Sequence, residues 1–237
     1  MPQLKVPSGR TFDMFDLQVM ELAAVVGFIE WFEKPKKLAS GKTSHIYVKG
    51  RQDATENPEF LKLACRKILT DTRTIMDTDD DRRRPRFIGI PHVAHGWTPA
   101  VSMVDEFEKI TGRGACHAIM RSELKKHGAH TKWVARTDEP SLFRDFLFDN
   151  VVTDSGSKET ALEHLVEDGF MPTEVDAMVF VDRQQGGLGN MVKLGFRSVH
   201  ANYNLLDMTY AFQQLGKWPS DAVERVEREI AENQVTV

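Results

Sequence analysis

The stretch 147–162, LFDNVVTDSGSKETAL, gathers an acid, an amide and a run of small hydroxyl residues where an apolar segment gives way to a helical one. Asp149 and Asn150 close the apolar run, and Thr153, Asp154, Ser155, Gly156 and Ser157 stand at the start of the helix. Unpaired N–H groups and the helix dipole both favour an anion there, so Thr153 to Ser157 could cradle one. Asp149 could accept from sugar hydroxyls, directly or through Mg²⁺. An acid beside a phosphate cradle suggests a phosphorylated sugar. The plainer alternative is that Ser157 caps the helix and Asp149 ends a strand in a turn, and the stretch alone leaves both open. With no Walker A lysine and no GxGxxG pattern here, a nucleoside triphosphatase or dinucleotide reading is weak.

Two further groups could do chemistry. Residues 120–128, MRSELKKHG, carry Arg121, Lys125, Lys126 and His127. Residues 179–187, VFVDRQQGG, set Arg183 directly after an apolar run. Taken alone, the first reads as a solvated loop, and Arg183 as a surface ion-pair residue followed by a plain turn. Tyr47 could stack on a base or belong to the core. His92 and His95 could pair on a metal, but no third ligand is evident.

The elements that must hold these residues follow from apolar spacing. Phe12, Phe15, Val19, Leu22, Val26 and Ile29 predict an amphipathic helix over 12–33. A short β-rich run follows at His45–Lys49, then helical spacing over 58–75. From there strands and helices alternate: RFIGI, a helix over 98–110, ACHAIMR, LFRDFLFDNVV, a helix over 157–168, DAMVFVDR and FRSVHANY, with helices near 204–215 and 220–232. Nearly continuous apolar strands between helices predict an α/β fold, a central parallel sheet flanked by helices on both faces. Right-handed crossovers set every strand's carboxyl end along one edge, where ligands bind. The segment 122–142 breaks the pattern, as functional loops often do.

Composition narrows the class. The 237 residues are 41% hydrophobic and 28% charged, ordinary for a globular chain. A net charge of −4 gives no electrostatic reason to expect nucleic acid. The longest apolar run, Leu22 to Ile29, is too short to span a bilayer. The start, MPQLKVPSGR, does not read as a secretory signal, and Cys65 and Cys116 lack metal-type spacing, so a reduced, cytoplasmic protein is expected. The run DDDRRRPR at 79–86 reads as a solvated loop of cancelling charge.

The 147–162 stretch resembles the phosphoribosyl-pyrophosphate (PRPP) motif of type I phosphoribosyltransferases, in which a four-residue apolar strand runs into two acids and a Thr/Ser/Gly loop. Other segments resemble orotate phosphoribosyltransferases. LASGKTSHIYV at 38–48 is similar to that family's amino-terminal LKSGRxSPxYF, MRSELKKHG to its RKExKDHG catalytic loop, and VFVDRQQGG to its LLDRxQGG, with GFRSVH following at 195–200. GIPHVAHGW at 89–97 takes the place of a pyrophosphate-binding loop. The resemblance covers nearly the whole chain. It implies one phosphoribosyltransferase-like domain over 1–237, with an amino-terminal helix and hood segment in 1–50 and the core sheet in 85–203.

The resemblance also implies roles. The reaction would be Mg²⁺-dependent transfer of phosphoribosyl from PRPP to orotate, in a homodimer whose loops cross between subunits. Lys125, His127 and Asp149 would be the catalytic residues. Arg121, Lys125, Lys126, His127, Asp149, Asn150, Thr153, Asp154, Ser155, Gly156 and Ser157 would bind PRPP. Arg183, Thr153 and Tyr47 would bind orotate, and Asp149 would meet Mg²⁺ only through PRPP. Several positions depart from the pattern. Asn150 replaces an acid, Asp154 a small residue and Ser155 a glycine; Ser122, Lys126 and Ala39 replace Lys, Asp and Lys. Three expectations remain: a divergent orotate enzyme, a transferase for another base, or a non-catalytic homologue that binds PRPP or a nucleotide.

Overall fold

The computed structural model describes residues 3–37, 43–49, 56–76, 83–90, 98–121, 132–134 and 142–234. In chain order the elements are β1 (Leu4–Lys5), β2 (Thr11–Phe12), α1 (Met14–Val25), β3 (Ile29–Lys37), β4 (Thr43–Val48), α2 (Pro58–Asp71), α3 (Arg73–Met76), β5 (Arg84–Gly89) and α4 (Thr98–Thr111). Then come β6 (Cys116–Ile119), β7 (Phe143–Val152), α5 (Gly156–Glu167), β8 (Val175–Asp182), α6 (Gly187–Lys193), β9 (Ser198–Asn204), α7 (Leu205–Gln214) and α8 (Ala222–Glu232).

The central sheet has the order β6-β5-β7-β8-β9, and every pairing in it is parallel. Its inner strands are buried on both faces; all eight residues of β8 are buried. Alternation along β7 divides the core. Phe146 and Phe148 join a cluster with Val19 of α1, Phe60 and Ile68 of α2, Met103 of α4 and Phe212 of α7. Leu147, between them, packs with Ala161, Leu162 and Leu165 of α5 and Met191 of α6. This is the three-layer α/β arrangement expected from the apolar strands. Among the described residues no helix is long and apolar enough to cross a membrane.

The predicted helix over 12–33 is shorter in the structure. Asp13 opens α1 with a capping box, its carboxylate accepting from Asp16 N–H at 2.9 Å and the Asp16 carboxylate from Asp13 N–H at 3.0 Å. Gly27, at φ +70°, ends the helical run. Ile29 to Lys37 then form β3, antiparallel to β4. The stripe misled because Val26 and Ile29 satisfy a helix period while Ile29, Trp31 and Phe32 equally suit a strand. The β3–β4 hairpin forms the small hood. Trp31 stacks on His45 at 5.1 Å and tilts against Trp218 at 5.5 Å, joining the hood to the chain's end.

The run at 79–86 also departs from its reading as a solvated loop. Its last residues, Arg84 to Arg86, start β5. Arg86 is 2% exposed and pairs with Asp145 at 2.5 Å on the neighbouring strand, with the Phe143 and Phe170 rings 4.6 and 5.1 Å away. Burial pushes the Asp145 carboxyl up, against the opposing pull of Arg86. A charge run cannot be told from a strand start when its partner lies 59 positions away.

Candidate active site

The carboxyl ends of β7 and β8, neighbouring strands about 4.8 Å apart, carry the two groups singled out in the sequence. Asp149 lies within β7 and is 3% exposed. Its carboxylate accepts Asn150 N–H at 2.7 Å and the Ser157 hydroxyl at 3.3 Å, and it pairs with the Lys158 ammonium. Lys158, 4% exposed, also donates to the Val151 carbonyl. Sequence reading missed Lys158. A cation in the first turn of a helix opposes the dipole, so a lysine there signals a nearby carboxylate.

Asn150 is 5% exposed, and among the described residues neither its amide nitrogen nor its amide oxygen has a hydrogen-bond partner. A buried amide with both functions open is costly, and its donor and acceptor suit a vicinal diol. The turn after β7 then leads into α5. Ser155 sits at φ +85°, in the left-handed region that glycine enters freely, and its side chain makes no cap hydrogen bond. The departure from glycine therefore falls where the backbone most needs glycine. Asp154, exposed, accepts Gly156 N–H at 3.1 Å, covering one donor of the expected phosphate cradle with an internal carboxylate.

Helix α6 braces this turn. A Cβ on Gly187 would lie 2.5 Å from Val152 Cγ2 and 2.7 Å from the Thr153 carbonyl, so only glycine allows the approach. Asn190 Nδ2 donates to the Asp154 carbonyl at 3.0 Å, and Arg183 N–H donates to the Val152 carbonyl at 3.0 Å. The Gly186-Gly187 pair thus serves a close packing contact, beyond a plain turn.

At the end of β8, Asp182 accepts Gln184 N–H at 2.8 Å; burial raises its pKa and that N–H lowers it. Arg183 is 6% exposed, far from a surface ion-pair residue. Its Nη2 donates to Ser44 Oγ at 3.2 Å and to Glu229 Oε1 at 3.3 Å, while its Nε is buried without an acceptor among the described residues. Burial lowers the guanidinium pKa and Glu229 opposes that shift. Sequence reading also missed Glu229, because nothing local marks a contact between residue 183 and the last helix.

Tyr47 is 43% exposed. Alternation along β4 sets it on the face opposite Ser44, the residue that meets Arg183, so the structure does not bring Tyr47 to Arg183. Arg121, half-buried after β6, donates from Nε to the Trp133 carbonyl at 3.1 Å and from N–H to the Lys132 carbonyl at 2.8 Å. Trp133 is in turn hydrogen-bonded to Asp168, just past α5. Lys125, Lys126 and His127 lie outside the described residues, as do His92 and His95. Among the described residues no group of three or more His, Cys, Asp or Glu side chains could hold a metal. Asp149 is engaged by Lys158 and Asn150 is neutral, so this pair does not fit a resident Mg²⁺.

No protein-family model matches the chain. Uridine 5'-monophosphate synthase from Bos taurus is 36% identical over 196 residues, 83% of this chain; the chain spans only 37% of that relative's length. The UMP synthase structure from Leishmania donovani superposes with TM-score 0.68 at 18% identity, covering 91% of this chain and 42% of that one. Orotate phosphoribosyltransferase from Aeropyrum pernix gives TM-score 0.59 at 19% identity, over 85% and 99% of the two chains. The chain therefore has the type I phosphoribosyltransferase fold, and over most of its length its sequence is similar to part of uridine 5'-monophosphate synthase.

Proposed function

We propose that the protein transfers the phosphoribosyl group of PRPP to orotate, giving orotidine 5'-monophosphate and pyrophosphate in pyrimidine nucleotide synthesis. The observation that carries this reading is one juxtaposition: Asp149 and Asn150 on β7 with the α5 start just beyond it, and Arg183 just past the end of the adjacent strand β8. In the reaction the ribose C1–oxygen bond to pyrophosphate breaks and a bond to the base nitrogen forms, through a transition state with cationic ribose. The protein aligns the partners and stabilises charge. Asn150 and Asp149 would take the ribose hydroxyls, and Thr153 to Ser157 the 5'-phosphate. Arg183 would take the orotate carboxylate, a role suited to a planar cation. Arg121, Lys125, Lys126 and His127 would face the pyrophosphate, and Mg²⁺ would arrive with PRPP as part of the substrate. By the same resemblance the protein works as a single-domain, cytoplasmic homodimer in which Lys125 and His127 serve the neighbour's site.

A second reading is favoured by one feature. Asp149 is covered by Lys158 and Gly156 N–H by Asp154, which suits a homologue that binds PRPP or a nucleotide as a signal without turnover. Loss of orotate absorbance with PRPP and Mg²⁺, compared with Lys125→Ala, separates the two. Lys125-dependent loss is the expected result. PRPP binding by calorimetry without loss would establish the second reading or a different base.

A further inference from the structure

We propose that Glu229 is a built-in competitor for the carboxylate position of the base, and thereby sets how strongly the site selects a carboxylated base. The inference rests on the assignment of Arg183 under the proposed function.

Glu229 lies on α8 and is 7% exposed. Its carboxylate is gripped by donors from separate parts of the chain. Ser44 Oγ donates to Oε1 at 2.5 Å, His45 N–H to Oε2 at 3.0 Å, and Arg183 Nη2 to Oε1 at 3.3 Å. A hydroxyl, a backbone N–H and a guanidinium converging in this way form a carboxylate receptor. Its present occupant is the chain's own side chain.

The receptor is not saturated. Arg183 meets Glu229 through Nη2, at a distance longer than the ~2.7–2.9 Å of a strong charge-assisted bond. Its Nε, the other half of a bidentate fork, is buried with no acceptor among the described residues. A guanidinium so placed gains from a better-aligned carboxylate. Glu229 itself also borders a cleft of about 370 Å³ between the hood and α8, lined in part by Thr43, His45 and Arg225, which gives its side chain room to withdraw from Arg183. A carboxylated base must therefore displace Glu229 from Arg183, whereas a base without the carboxylate need not. Were Glu229 instead a positioning residue that aims Arg183, removing its charge would weaken the carboxylated ligand, so the two roles predict opposite signs.

The test uses orotidine 5'-monophosphate and uridine 5'-monophosphate, which differ only in the base carboxylate, each titrated by calorimetry into wild type, Glu229→Gln and Glu229→Asp. Glutamine keeps one acceptor, for Ser44 or His45, without the charge. Aspartate keeps the charge but withdraws it by one methylene, and so tests the idea even where Glu229→Gln fails to fold. The expected result is that preference for the carboxylated nucleotide rises at least tenfold in Glu229→Gln and by a smaller factor in Glu229→Asp, with uridine 5'-monophosphate affinity unchanged. A preference that stays constant or falls overturns the proposal. If neither nucleotide nor ribose 5-phosphate binds the wild type at millimolar concentration, the functional reading fails and takes this inference with it.

Discussion

Around Asp149, the side chains that meet its carboxylate come from the same stretch: Ser157 and Lys158 lie in the first turn of the helix that follows the strand. Around Arg183 they come from far away, Ser44 lying 139 positions earlier and Glu229 46 positions later. Both ends of the site hold a buried charge against an internal partner. They differ in what supplies it. The Asp149 end is a local motif that carries its own counter-ion, while the Arg183 end exists only once the hood and α8 pack over the sheet. A local motif keeps its geometry as long as one strand–turn–helix survives. An assembled one can be retuned by a single residue on a distant helix.

The sharpest way to break this comparison is Lys158→Met. It leaves Asp149 buried and unpaired at 4% side-chain exposure, and breaking such a pair costs about 3–5 kcal/mol. Urea unfolding at pH 7 should show a loss of that size, and Asp149→Asn combined with Lys158→Met should recover most of it, because a neutral pair leaves no orphan charge. Glu229→Gln should cost less than Lys158→Met, since the amide still accepts from Ser44 or His45. A Lys158→Met loss below about 1 kcal/mol would fall to the level of an exposed pair and would mean that the Asp149 end does not depend on its local partner.

The same contrast explains what the sequence could reveal. The central sheet was legible because β7 and β8 are apolar runs that need no distant information, and the strand–turn–helix at 143–167 because its residues adjoin. Arg183 was singled out only through the resemblance; its burial, and its pairing with Glu229, depend on the packing of α8 against the hood. Arg86 failed for the same reason, its Asp145 partner lying on another strand. The helix over 12–33 failed differently: its apolar spacing fits two periods, and Gly27 decides between them. Lys158 was within reach, since a lysine at a helix start already conflicts with the dipole.

A smaller effect separates the two positive-φ residues outside glycine among the described residues, Ser155 at +85° and Gln184 at +58°. Ser155 has no cap hydrogen bond from its side chain, whereas the Gln184 side-chain carbonyl accepts Leu206 N–H at 3.0 Å. The left-handed conformation costs an L-residue roughly 1–2 kcal/mol, offset by about 0.5–1 kcal/mol of extra unfolded-state freedom when glycine is introduced. Ser155→Gly should therefore raise stability by up to about 1 kcal/mol, and Gln184→Gly should lower it, because a cross-element bond is lost with the side chain. Matching signs for the two variants in thermal unfolding would show that the local and assembled ends tolerate strain alike.

The smallest expected effect concerns pH and the acid beside Arg183. Asp182 is 8% exposed and is held by Gln184 N–H, with burial raising its pKa above the ordinary 3.8. The folded protein therefore keeps this proton to higher pH than the unfolded chain does. Its contribution to stability is whole below the ordinary carboxylate value and is lost as pH rises through the raised folded value. Asparagine offers the same acceptor to Gln184 N–H and cannot ionise. Asp182→Asn should thus gain on the wild type as pH rises from about 3.5 to 7, with the difference closing at the acid end. Urea midpoints measured across that window decide the matter. A difference that stays constant with pH would mean that burial does not penalise this carboxylate, and that the assembled end tolerates an isolated negative charge as readily as the local end tolerates a paired one.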